Sequence, residues 1–112
     1  MRTTLSAGEL AVWIERFLAH LRHERRLSER TCTGYKRDLA LLHSAYHASA
    51  CATLEADFIR LLIAQQHRRG LGRRSLQRML AALRTFCDYL MREALLHANP
   101  ARGVRAPRSP RR

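Results

Sequence analysis

Between residues 70 and 90 the chain reads GLGRRSLQRMLAALRTFCDYL, with Leu76, Met79, Leu80, Leu83, Cys87 and Leu90 recurring at helical intervals. At about 100° per residue these side chains fall in one stripe, which commits the stretch to an amphipathic helix packed on one side. Arg74, Arg78, Ala81 and Thr85 point within about 40° of the opposite direction. A helix that is bulky on its buried side, basic and low-profile on its outer side, and opened by Gly70-x-Gly72 has the shape to enter a nucleic-acid groove. A solvated amphipathic helix with an arginine-rich face shows the same pattern, and this stretch alone leaves both readings open.

Three further helices precede it. Ser6 and Glu9 form a capping-box pattern ahead of Leu10, Trp13, Ile14, Phe17, Leu18 and Leu21, which predicts a helix over residues 7–25. His20, Arg22, His23, Arg25 and Arg26 crowd its end, where cations suit the macrodipole. Leu27 then leads to Ser28, an N-cap for a second helix over residues 29–48. Cys32, Tyr35, Leu39, Leu42 and Tyr46 face inward there, with Arg30, Thr33, Arg37 and Ser44 opposite. Gly34 inside that helix costs about 1 kcal/mol relative to alanine, so either something approaches closely or the cost is simply tolerated. A third helix, capped by Thr53 or Asp57, runs to about Arg69 with Phe58, Leu61, Leu62 and Ile59 facing inward, and Gly70 supplies its left-handed stop.

The fourth helix extends to about Arg92, and Leu95, Leu96 and Ala98 could add a short fifth turn. Asn99-Pro100 should end the folded part, because proline disfavours helix at the residue before it. The remaining ARGVRAPRSPRR reads as an extended basic tail. The expectation is an all-α four-helix bundle over residues 1–98 and a Pro/Arg-rich linker over residues 99–112.

A chain of 112 residues has room for one such domain. Its formal charge of +12 calls for a polyanionic partner. Lys36 is the only lysine; arginine suits bidentate phosphate and guanine recognition, although an arginine-biased genome gives the same composition. Cys32, Cys51 and Cys87 are odd in number and widely spaced, so neither a disulfide framework nor a zinc site is expected. With no long apolar run, the expectation is a soluble, cytoplasmic protein with no membrane partner.

Taken together, Ser28-x-x-Thr31-x-x-x-Tyr35-x-x-x-Leu39, Gly70-Leu71-Gly72-x-x-Ser75, Arg78-x-Leu80-x-Ala82-Leu83-Arg84-x-Phe86-x-x-Tyr89-Leu90 and Asn99-Pro100-Ala101-x-Gly103-Val104-x-x-Pro107 resemble the N-terminal core-binding domain of tyrosine recombinases, nearest to the Xer type. The resemblance runs from about Leu10 to Pro107 and implies an orthogonal SAM-like helical bundle. Such a domain grips one face of a recombination site on double-stranded DNA, while a catalytic domain, joined by a basic linker, closes on the other face beside neighbouring recombinase protomers. By resemblance, the starts of the second and fourth helices face the major groove. The candidate DNA-binding residues are Ser28, Arg30, Thr31, Thr33, Gly34 and Arg37 on the second helix, and Arg73, Arg74, Ser75 and Arg78 on the fourth. Arg68 and Arg69 beside the Gly70 turn, with Arg102 and Arg105 in the tail, complete the set. Ala81 and Ala82 depart from the family pattern, standing where relatives often carry a polar residue. The expected arrangement sets the two cationic amino ends side by side on one convex surface.

The family's nucleophilic tyrosine and its activators belong to the catalytic domain, and this chain ends as that domain would begin. Tyr35 and Tyr46 lie on an apolar helix face and no tyrosine sits in an activating motif, so no enzyme activity is assigned. His20 and His23 share a face at i, i+3 without a third ligand, so no metal or cofactor is expected. The alternative function is a basic helical protein-interaction module with no DNA role.

Overall fold

The computed structural model describes residues 4–50 and 53–107. Four helices follow one another: α1 (Ala7–His23), α2 (Glu29–Ala48), α3 (Ala56–Arg68) and α4 (Arg73–Arg92). The molecule is the expected all-α four-helix bundle. No fifth helix forms among the described residues, and none of the described helices is long and apolar enough to cross a membrane. Cys51 and the tail beyond Pro107 lie outside the described residues.

The start signals of the first two helices act as written. Ser6 Oγ accepts from Glu9 N–H while Glu9 Oε1 accepts from Ser6 N–H, closing a capping box on α1. Those hydrogen bonds hold the Glu9 carboxyl below its ordinary pKa. Ser28 Oγ accepts from Thr31 N–H at the head of α2. α1 stops at His23, two residues short of the sequence expectation, because Arg26 takes a left-handed conformation (φ 50°) and Leu27 N–H turns back to Leu21 O. α3 begins later than Thr53 and earlier than Asp57; Glu55 stands at its N-cap without a side-chain capping bond. Its end is the expected one. Gly70 sits at φ 96°, with its own N–H on His67 O and Leu71 N–H on Gln66 O.

Helix α4 is the axis of the core and touches α1, α2 and α3. All six residues of its expected stripe are buried, and Ala82, Phe86 and Tyr89 widen the buried face. That width follows from having neighbours on several sides. Phe17 of α1 packs on Phe86 and Tyr89, with ring centroids 5.3 and 5.5 Å away. Tyr46 of α2 meets Phe58 of α3 edge-on and donates its hydroxyl to Leu5 O at 2.8 Å, tying down the chain ahead of α1.

Two expectations need correction. Leu61 is 63% exposed, whereas Phe58, Ile59, Leu62, Ile63 and Gln66 are buried. At about 100° per residue, Leu61 lies roughly 130° from the centre of that face. The folded part also continues past Asn99-Pro100. Ala101 and Val104 are buried, and Arg84 donates to Ala101 O (3.3 Å) and Val104 O (2.6 Å). Asn99 Nδ2 donates to Arg84 O and Asp88 Oδ1, and its Oδ1 accepts from Ala101 N–H. Proline forbids the helix but not the packing, so the segment becomes a strap along α4.

Candidate nucleic-acid interface

The first half of α2 and the middle of α4 enclose an open groove lined by Arg30, Thr31, Thr33, Gly34, Tyr35, Arg37, Arg78 and Ala81. Short and basic residues line it because the apolar residues of both helices are turned the other way, into the core. Arg30, Thr33 and Arg37 are exposed along α2, while Thr31 and Gly34 are half-buried. Ser28 is exposed and engaged in the cap, its hydroxyl also donating to Thr31 Oγ1.

Arg78 is not the free outward cation that the helical wheel gives. Its Nε donates to Asp38 Oδ2 at 2.9 Å and its Nη2 to Asp38 Oδ1 at 2.8 Å, a two-pronged ion pair across α2 and α4. The Asp38 side chain is 1% exposed and that of Arg78 39%. Hydrogen bonding to Asp38 raises the Arg78 pKa above its ordinary value. Arg78 therefore belongs both to the framework and to the groove. Its stem lies across Gly34, where a Cβ would stand 3.4 Å from Arg78 Cδ and 3.5 Å from Nε. The close approach that Gly34 invites is, in the first place, this side chain.

The amino ends of α2 and α4 do not sit side by side as expected. Thr85 and Asp88, late in α4, share a second groove with Arg25, which lies just ahead of α2. At the other end, Arg69, close before α4, lines a groove with Leu41, Ser44 and Ala45, well along α2. The two helices therefore pass in opposite senses, and the middle of α4 meets the first half of α2. Arg73 and Arg74 are exposed and Ser75 half-buried, but none of them lines the α2–α4 groove. At ~1.5 Å of rise per residue, Arg74 and Arg30 are each about 6 Å from the Arg78–Gly34 crossing, on opposite sides of it. The basic positions thus extend along a diagonal over both helices.

The remaining candidates fall outside the groove. Arg68 and Arg69 are exposed at the end of α3, and Arg69 faces the second half of α2. Arg102 is held on Asp88, with Nη2 at 3.1 and 3.2 Å from its two oxygens. Arg105 is exposed on the strap beside Arg60 and Ile63. The sequence reading overlooks Asp38, and it gives Arg25 only as a helix-end cation, not as part of a groove. Asp38 follows Gly34 by four residues and borders the apolar stripe, the one signal that marked it for burial.

No described residues gather three side chains able to hold a metal. The His20 ring lies tilted against Tyr89, centroids 5.2 Å apart, with Arg92 Nη2 3.4 Å from its Nε2, so its neighbours are an aromatic ring and a cation. Burial and the nearby Asp88 charge push the Cys87 thiol up to about 12, while Cys32 is a second buried free thiol.

Residues 14–94 match the family model described as the phage integrase N-terminal SAM-like domain. Among curated proteins, the chain is 46% identical over 99 residues to the tyrosine recombinase XerC of Alcanivorax borkumensis, covering 88% of this chain and 32% of that protein. It is 43% identical over 102 residues to that of Azotobacter vinelandii, covering 88% and 34%. Against that of Serratia marcescens it is 43% identical over 101 residues, covering 88% and 33%. The chain spans about a third of the length of the curated relatives it matches. No solved structure gives a match.

Proposed function

This chain belongs to the phage integrase N-terminal SAM-like domain family, the non-catalytic part of tyrosine recombinases, and from that premise we propose that it binds double-stranded DNA as the core-binding half of a recombinase clamp. The observation that carries the reading is the convergence of Arg30 and Arg37 of α2 with Arg78 of α4 on one groove, in a chain of formal charge +12. Arg37 and Arg73 set the register on phosphates, and Thr31, Thr33 and the flat surface at Gly34 and Ala81 allow a close approach. Arg30 and Arg74 are the candidates for base edges, giving sequence-directed binding. The partners are duplex DNA, a recombinase catalytic domain and neighbouring protomers. The compartment is the cytoplasm, where a bacterial chromosome lies.

Titration of a labelled duplex at a series of salt concentrations tests this. Neutralising about six phosphates gives a slope of log K against log salt near −5. A slope near zero, or no binding to duplex, would leave the basic helical interaction module as the better account. Equal competition by heparin would show charge attraction without recognition of the duplex.

A further inference from the structure

Asp38 is a buried acid paired to an arginine of the α2–α4 groove in a basic protein, a position where its charge opposes the proposed partner. Both of its oxygens are taken by Arg78, through Nε and Nη2. That leaves Nη1 of the same guanidinium without a protein partner among the described residues, on a side chain that lines the groove and is 39% exposed. A two-pronged contact fixes the plane of the guanidinium as well as its position.

Gly34 supplies an independent observation. A methyl group there would meet the Arg78 stem at 3.4 Å, ordinary van der Waals contact, so the fold itself has room for alanine. Alanine would also suit the helix better. The internal packing therefore does not require glycine on this groove wall, and the missing side chain leaves the backbone there open to a group arriving from outside.

We infer that Asp38 is a positioning residue, holding Arg78 as a fixed cation whose Nη1 edge meets a phosphodiester oxygen seated over Gly34 between Arg30 and Arg37. The inference rests on the duplex-binding reading and adds a specified seat to it. A guanidinium held in place before binding loses less freedom on contact than a free arginine, so its hydrogen bond contributes more fully. The negative charge of Asp38 is the cost of that orientation.

The test uses a sign that general electrostatics gives the other way round. Asp38→Asn makes the protein one unit more positive, so undirected attraction predicts equal or tighter duplex binding. The positioning role predicts binding about tenfold weaker, with a salt slope shallower by about one as one phosphate contact is lost. Arg78→Lys keeps the charge and leaves Asp38 a cationic partner, but removes the fork; it should show the same weakening and the same change of slope. Anisotropy titrations are read alongside far-UV circular dichroism. If Asp38→Asn fails to fold, Arg78→Lys decides alone. A folded Arg78→Lys or Asp38→Asn that binds duplex as tightly as the parent, with an unchanged slope, would overturn the inference while leaving the duplex reading intact. Loss of binding by the parent protein itself would remove the duplex reading, and the seat with it.

Discussion

Replacing Arg78 with alanine should unfold this domain more readily, not merely remove charge from its surface. The change strips Asp38 of both hydrogen bonds and leaves a carboxylate whose side chain is 1% exposed with no counter-charge. Breaking a buried pair from one side typically costs about 3–5 kcal/mol. Arg78 is 39% exposed and opens on the groove, so water can follow the departing side chain and places the effect near the lower end, about 3 kcal/mol. For a domain of this size that lowers the melting temperature by roughly 15 °C. Thermal denaturation at neutral pH, followed by far-UV circular dichroism, measures it. The Asp38→Ala, Arg78→Ala double variant should be less destabilised than the sum of the two single changes, because the second substitution removes what the first left unpaired. An Arg78→Ala protein melting within about 2 °C of the parent would show that Asp38 needs no partner, refuting the reasoning from burial.

Other outcomes follow from the same geometry. Gly34→Ala should raise stability by about 0.5–1 kcal/mol in urea denaturation, since the methyl fits and the helix gains. The raised Cys87 pKa makes the neutral thiol the favoured folded form; its contribution to stability is complete below the unfolded value near 9.0 and is lost as pH rises toward about 12. Alkylation at pH 8 followed by peptide mapping should accordingly leave Cys87 unmodified until the protein is denatured. Asn99→Ala deletes the bonds to Arg84 O, Asp88 Oδ1 and Ala101 N–H, so limited trypsin digestion should cut at Arg102 and Arg105 sooner than in the parent.

The helices were legible because their information is local. The six-residue stripe of α4, the Ser6–Glu9 box, the Ser28 cap and the Gly70 stop each depend on residues within a turn or two, and all are present in the fold. What escaped the sequence reading depends on distant partners. Asp38 pairs with a residue 40 positions away, so the wheel of α4 shows Arg78 free when it is bound. The proline rule at Pro100 speaks only of helix, and says nothing of Ala101 and Val104 docking on α4 or of Arg84 meeting their carbonyls. Hydrophobicity alone turns Leu61 inward; Ile63 and Gln66 set the true face. For the interface, the types of side chain on each helix could be read in advance, but which turns of α2 and α4 meet depends on pairings such as Arg78 with Asp38, 40 positions apart.

The central claim, that the face shared by α2 and α4 receives duplex DNA, is tested most directly by mapping backbone amide shifts in the intact chain during titration with a short duplex. The account predicts perturbations gathered on residues 28–38 and 73–81, with Trp13 and Val12 of α1 undisturbed. Shifts centred on α1, or spread evenly over the surface, would contradict it.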